Sequence, residues 1–567
     1  MATVVPVEVS EKLALVDGEL GPNEERISDA IPPLGKPETH KRLWFQKPKH
    51  YDPKDIATQP SVYDNADIAP QYKPRDDWEN LHRFDPRARW TWGEEYKVIR
   101  KIDWRIMTWT AIMFTAMELD RANINQSLAD NFLEDLHLKT DDYNLGNTIY
   151  ALCFLAGEFP AQLLAKWLGP DRWIPSQLVL FSVVAASQYA LDGRSSFLIT
   201  RALLAFLQGG FIPECVLYLS YFYKHHELTI RLGFFWTGMF IADIVAAILA
   251  FGLLHMRGVQ GRSGWRWLFL IEGLITGVIG LLSFFMMPPG PSQTASWKRG
   301  KHGWFTSREE TIMVNRIIRD DPSKGTMHNR QPITLKLLWK SLTDVDLWPL
   351  YAIALTFNIP TFSPQQYLSL SLRGLGFDTF QTNLLSIPYL VLKIINMMAL
   401  ATLAEYTGQL AGSASIFQFW CLPFLIYLRV VDTTKASKWL TWAIISLLLA
   451  APLAHPIQVG WISRNANTVR SRTIGAALYN MFLQAGVVIS SNIYRQDDAP
   501  LYKRGNSILI GILSLNLVLY VVAKAYYVWR NRVRELRWNT MTPEEQLVYL
   551  ADHQDAGNKR LDFRLAS

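Results

Sequence analysis

The chain of 567 residues is 49% hydrophobic and 13% aromatic, yet 19% of it is charged and its formal net charge is +7. A soluble chain of that length divides into several domains of roughly 100–200 residues built on amphipathic elements. Here the apolar residues are gathered into blocks, with Gly and Pro inside them at Gly157-Glu158-Phe159-Pro160 and Pro452-Leu453-Ala454-His455-Pro456, as membrane helices tolerate. Cys153, Cys215 and Cys421 fall in apolar blocks and define no disulfide or metal spacing. No Walker-type glycine loop and no metal, nucleophile or nucleotide spacing occurs, so neither an enzyme nor a cofactor is expected.

Residues 1–103 are rich in Pro, Asp, Glu and Lys and read as a disordered cytoplasmic arm without a cleavable signal. Its end, Arg87-Ala88-Arg89-Trp90-Thr91-Trp92, suits either a headgroup surface or a solvated linker. Twelve apolar blocks follow, each long enough to cross a hydrocarbon core of about 30 Å. They run 104–123, 143–164, 174–191, 197–222, 232–254, 267–287, 347–370, 382–403, 415–431, 439–462, 474–494 and 508–529. The expected fold is therefore an all-α membrane protein with two six-helix bundles, 104–287 and 346–530, a cytoplasmic central loop at 288–345 and a cytoplasmic tail at 531–567. Lys and Arg before the first block and in the central loop, against Asp130, Glu134, Asp135, Asp141 and Asp142 after the first block, put both termini in the cytosol. Arg257, Arg262, Lys435 and Lys438 run against that rule. Leu164-Ala165-Lys166-Trp167-Leu168-Gly169 and Leu403-Ala404-Glu405-Tyr406-Thr407-Gly408 recur at equivalent loops, as expected of two repeated halves around a central site.

The first block ends in Met117-Glu118-Leu119-Asp120-Arg121-Ala122-Asn123-Ile124-Asn125. A charge inside a span costs about 2.5–3.5 kcal/mol on insertion scales, so such residues line a pathway or find partners. Asp120 and Arg121 are about 100° apart on a helix and do not face one another.

With Gly264-Trp265-Arg266-Trp267-Leu268-Phe269-Leu270-Ile271-Glu272-Gly273, Asp498-Ala499-Pro500-Leu501-Tyr502 and a tail stretch at Asn558-Lys559-Arg560-Leu561-Asp562-Phe563-Arg564, that cluster resembles the major facilitator superfamily. It is most similar to the superfamily's anion:cation symporter branch and, within it, the fungal allantoate permease family. The resemblance implies proton-coupled uptake of a small organic anion, a carboxylate such as allantoate, pantothenate or nicotinate, or a sulfur oxyanion or sulfonate. It also implies residence in the plasma membrane. Two positions depart from the family pattern. Lys166 stands where an acid usually precedes the loop glycine, and Gln208 follows Arg201 where relatives tend to carry a glutamate.

Moving a charge through 100 mV is worth about 2.3 kcal/mol, so importing an anion against an inside-negative potential favours cotransport with protons. Arg121 and Arg201, at similar depth by helical rise, are the expected clamps on the anion, because a guanidinium offers a planar fork of donors. Lys393, Gln208 and Asn480 complete the expected substrate contacts, with Asn358, Gln365 and Gln484 as further neutral candidates. Asp120 leads the proton carriers, ahead of Glu158, Asp243 and Glu214. Release of an arginine from Asp120 on protonation would couple proton to anion. Structural pairing of one arginine with an acid on another helix, or of Arg201 with Asp120 or Glu118, is the competing reading. His455 reads as a polar bend residue, and Trp236 and Phe240 as packing residues. The partners expected are the anion, protons and the lipid bilayer, with no nucleic acid, for a monomer. A proton-driven exporter of a metabolite and a nutrient sensor are the alternatives.

Overall fold

The computed structural model describes residues 34–35, 51–66, 69–324, 339, 343–466, 469–549 and 558–567, apart from positions 75, 77, 298, 302, 323, 543, 544 and 547. In chain order the main helices are α1 (Trp92–Ile102), α2 (Thr108–Ser127), α3 (Thr140–Leu168), α4 (Pro170–Ser187), α5 (Arg194–Gln208), α6 (Phe211–Ser220), α7 (His225–Leu253), α8 (Gly264–Met286) and α9 (Ser307–Asp320). They continue as α10 (Trp348–Thr356), α11 (Ile359–Gln366), α12 (Leu368–Gly374), α13 (Thr379–Leu385), α14 (Ile387–Thr407), α15 (Leu410–Val430), α16 (Lys438–Leu449), α17 (His455–Asn465), α18 (Val469–Ser490) and α19 (Lys503–Asn539). Among the described residues the only β pairing is two isolated bridges, Ile56 with Thr91 and Ser296 with Gly300. The chain divides into two compact units.

The first unit is drawn from Met1–Thr110, Cys215–Phe234 and Phe285–Arg330. Here the sequence predicted an arm without regular structure, whereas the described stretch from 51 to 102 is folded. Helix α1 opens with a reciprocal cap, in which Glu94 N–H donates to Thr91 Oγ1 at 3.4 Å and Thr91 N–H to Glu94 Oε2 at 3.0 Å. Its buried face is Trp92, Glu95, Val98 and Ile102, one side of a helix by spacing. Nor do Trp90 and Trp92 lie at a headgroup surface: both are buried, and Trp92 stacks on Tyr51 at 4.3 Å between ring centres. The partners come from α9, which lies some two hundred positions further along the chain. Lys101 Nζ donates to Glu309 Oε1 at 2.6 Å, and Arg316 is wholly buried, with Nη1 at 3.3 Å from Glu95 Oε1 and Nη2 at 2.6 Å from Glu227 Oε2. Lys224 Nζ reaches the same Glu95 oxygen at 2.6 Å.

Burial pushes Glu227 up, but Arg316, Lys224 and Arg231 outweigh it and hold the carboxyl at about 2. A carboxyl held below its unfolded value of about 4.3 contributes stability that is full above that value and is lost as pH falls through the folded one. Hydrogen exchange of α9 is therefore expected to be unchanged by Glu227 between about pH 7 and 5 and to accelerate only below about pH 4. Exchange that rises already between pH 7 and 6 would show that the carboxylate is not held this way.

The second unit comprises Ala111–Glu214, Phe235–Phe284 and Gln331–Ser567. Each predicted apolar block coincides with helix. Seven helices among the described residues are long and apolar enough to cross a membrane: Thr140–Ala165, Arg194–Ser220, Phe234–Met256, Gly264–Met286, Thr379–Ala404, Leu410–Val430 and Lys503–Asn539. Two of the other blocks are interrupted. The block at 347–370 is divided into α10, α11 and α12, with a proline in the first turn of α11, and that at 439–462 is broken between α16 and α17 at Pro452. Helix α2 carries Glu118, Asp120 and Arg121 in its apolar run.

Helices α3 and α5 cross in backbone contact. A Cβ on Gly157 would lie 2.1 Å from Phe206 O, and one on Gly209 2.3 Å from Phe154 O. Small residues permit such an approach, and any side chain forces the helices apart. Gly157→Val is expected to cost about 1–3 kcal/mol or more by overpacking, seen as loss of the monodisperse peak in detergent; a normal profile would refute the close crossing.

At the ends the loop charges assign to the outside, the two repeated halves meet. Asn144 Nδ2 donates to Tyr494 O at 3.0 Å, Thr379 Oγ1 to Ala129 O at 3.0 Å, and His255 stacks on Phe380 at 3.7 Å. The exception at Arg257 is explained here, since its guanidinium pairs with Asp130 at 2.9 Å and Asp135 at 2.8 Å and its charge is neutralised. The tail motif folds back on the second half, where Trp461 Nε1 donates to Ala566 O at 2.8 Å and Asn531 Nδ2 to Leu565 O at 2.8 Å. The side chains of Lys166 and Glu405, on which the loop-motif departure turns, lie outside the described residues.

Candidate functional site

Helix α2 presents its charges on different faces, as the 100° step between neighbours dictates. Glu118 and Arg121, three residues apart, share one face. Arg121 Nη1 lies 3.5 Å from both Glu118 oxygens, and Glu118 also accepts from Gln208 Nε2 at 3.1 Å. The counterion of Arg121 is thus Glu118, not Asp120. Asp120 turns to α8 and touches neither arginine, which corrects the expectation that its protonation would release one of them.

Arg201, on α5, is 5% exposed. Its Nη2 donates to Asn147 Oδ1 at 3.0 Å, its guanidinium carbon lies 4.3 Å from the centre of the Tyr150 ring, and its Nε has no hydrogen-bond partner. No carboxylate stands within ion-pair distance of it among the described residues. Arg121 lies 5.8 Å from the centre of the same ring, and the two guanidiniums are within electrostatic reach of each other. A single tyrosine therefore lies between two cations, of which only Arg121 has a carboxylate beside it. Its hydroxyl donates to Gln208 Oε1, so Gln208 bridges Tyr150 and Glu118.

Tyr150 and Asn147 escaped the sequence reading. The signal was present: Tyr143, Asn147 and Tyr150 fall at steps of four and three along an otherwise apolar helix, a polar stripe on one face.

Further along the same region, α7 brings Asp243 within electrostatic reach of Glu118, Arg121 and Lys393. Lys393, buried on α14, holds its ammonium 5.5 Å from the centre of the Phe240 ring, a cation–π arrangement. Trp236 meets His455 edge to face at 5.3 Å, and His455 Nδ1 lies 3.0 Å from the Tyr479 hydroxyl. Trp236 and Phe240 thus touch polar and charged groups of the second half, beyond packing alone. Asn480 is half-buried on α18. Glu158 is buried near the crossing of α3 and α5, with Oε2 unpaired, and contacts neither arginine. Glu214 accepts from Trp173 Nε1 at 3.2 Å. The structure brings together Arg121, Arg201, Gln208, Asp243 and Lys393 and leaves Asp120, Glu158 and Glu214 apart from them. No cluster of metal-ligating side chains occurs among the described residues.

Such a site, with cations in excess of anions between two helical halves, is suited to holding an anion reversibly. The chain is 46% identical over 477 residues to an uncharacterized transporter of Saccharomyces cerevisiae, covering 84% of this chain and 88% of that one. It is 28% identical over 454 residues to the MFS transporter prlL of a fungal species, covering 77% and 88%. Among solved structures, a bacterial homologue of the human lysosomal transporter Spinster, inward-facing and unoccupied, superposes with a TM-score of 0.54 at 13% identity over 77% of this chain and 97% of that one. That likeness is one of fold. The sequence pattern of the Major Facilitator Superfamily matches residues 110–491. By fold, by pattern and by relatives, the chain is a multi-pass membrane transporter that belongs to the Major Facilitator Superfamily.

Proposed function

We propose that this transporter imports a small organic anion together with protons, within the anion:cation symporter branch and close to the allantoate permeases, acting as a monomer of twelve spans in the plasma membrane. The observation that carries this reading is Arg201, a buried guanidinium held by neutral groups only, beside a second arginine whose ion-pair partner, Glu118, does not reach it. A buried charge without a counterion is costly, and an anionic substrate supplies the missing charge. The fork of a guanidinium suits carboxylates and sulfonates alike. Lys393 forms the opposite wall, with Asp243 placed to exchange charge with it and with Arg121. Protonation of Glu118 or Asp243 frees a cation for the incoming anion, which couples the two.

The test is uptake into vesicles holding the purified chain, with labelled carboxylates and sulfonates offered under an acid-outside pH gradient. Accumulation that collapses with a protonophore is expected. Accumulation of a cation or a neutral solute instead, or flux driven only in the outward direction, would overturn the reading.

Tyr150 sets the spacing of the two guanidiniums. Removing its ring in Tyr150→Leu is expected to lower uptake about twofold to thirtyfold at low substrate concentration, the range that cation–π contacts of about 0.5–2 kcal/mol allow. Tyr150→Phe keeps the ring and is expected to lose less. Equal loss in both variants would assign the effect to the hydroxyl and its bond to Gln208.

A further inference from the structure

We propose that Asp120 and Glu272 form a proton-binding pair buried between α2 and α8. Asp120 is 1% exposed and Glu272 is fully buried, and none of their four carboxylate oxygens has a hydrogen-bond partner. Thr276 Oγ1 donates to Ala116 O at 3.1 Å across α2 and α8, and Asp120 and Glu272 each lie one turn from that contact, within electrostatic reach of each other. The neutral groups facing them are Thr276, whose hydroxyl is committed to Ala116 O at 3.1 Å, and Asn123, whose Nδ2 is buried and unpaired. On α2 and α7 the charged groups Glu118, Arg121 and Asp243 answer to one another and to Lys393 instead. Helix α4, on the far side of α8, approaches Gly273 and Gly277 with Ala186 and Ser182, which carry no charge.

Among the described residues these two carboxylates have no cation beside them and are faced only by the Thr276 hydroxyl, already bonded to Ala116 O, and the unpaired Asn123 amide; like charges that share so dry a site do not ionise together. A proton between them removes the repulsion and supplies the donor that the site lacks. Glu272 belongs to the motif running from Gly264 to Gly273, to which the anion site assigns no role. Helix α2 bears Arg121 on one face and Asp120 on another. Gain or loss of the proton therefore changes the contact of α2 with α8 while the anion site acts on the same helix.

This deepens the proton-coupled reading above by naming where a proton is held, and its test needs no substrate. The purified full chain, in vesicles of neutral lipid, is taken from alkaline to acid pH while the infrared carbonyl stretch of protonated carboxyls is followed. The wild type is expected to keep a buried protonated carboxyl at neutral pH and to take up protons at the pair in two separated steps, as coupled groups do. Asp120→Asn and Glu272→Gln are each expected to remove one carboxyl from the signal and to merge the two steps into one. Glu272→Asp is expected to keep the amplitude with a moved midpoint.

The pair is overturned if the wild type shows no protonated carboxyl at neutral pH, if Glu272→Gln leaves the titration unchanged, or if Glu272→Asp leaves the midpoint where it was. A midpoint that moves with sodium concentration at constant pH overturns the proton as the ligand and makes it a metal cation. Failure of the anion reading appears elsewhere, as uptake that ignores Arg121 and Arg201 while this titration stands.

Discussion

Arg201→Lys is expected to lower uptake at sub-saturating anion concentration at least about tenfold, equivalent to about 1.4 kcal/mol, while leaving the folded yield unchanged. The guanidinium meets three demands at once: it donates to Asn147 at 3.0 Å, it lies 4.3 Å from the Tyr150 ring centre, and it keeps Nε unpaired. An ammonium is a point charge without the planar fork and cannot meet all three. The loss should fall on the substrate concentration needed for half-maximal rate more than on the maximal rate, because ground-state binding is what the fork supplies. Arg201→Gln keeps hydrogen bonding, removes the charge and should abolish saturable uptake. A near-normal rate in the lysine variant at low substrate would mean that Arg201 serves the packing of α3 on α5.

In the first unit, Arg316→Ala is expected to cost about 3–5 kcal/mol, since removing one partner leaves buried carboxylates uncompensated. Glu95 and Glu227 are buried, and Arg316 bonds to both as well as donating to Phe222 O at 3.1 Å. The effect should be seen as faster hydrogen exchange through α1 and α9, with α14 and α15 unaffected. Arg316→Met and Lys224→Met combined with Glu95→Gln and Glu227→Gln should recover much of the loss, because neutral groups of similar volume then replace the whole buried ion cluster at little cost. Equal exchange in the wild type and Arg316→Ala would show that apolar contacts hold α1 and α9 without the charges.

The apolar blocks were legible because length and hydropathy alone define them, and the charges at 118, 120 and 121 stood out as candidates because they interrupt such a block. Which of them pairs with which was legible only in part. The three-residue step puts Glu118 and Arg121 on one face and lets Glu118 take the arginine, but the partner of Asp120 lies on α8, which spacing along α2 does not report. The fold of the arm between 51 and 102 was missed for a related reason. Thr91 and Glu94 carry a visible capping signal, but the groups that pair with Lys101 and Glu95 of α1, Glu309 and Arg316, are more than two hundred residues away, and local composition does not report them. Tyr150 was passed over because an aromatic residue in an apolar span reads as packing. Its two guanidinium neighbours come from other helices.

The most direct test is equilibrium binding of the labelled anion that uptake singles out, measured on the purified chain at fixed pH. Saturable binding in the wild type that weakens with salt and is lost in Arg201→Gln is the expected result. Identical isotherms for the two proteins would contradict an anion site built on Arg201.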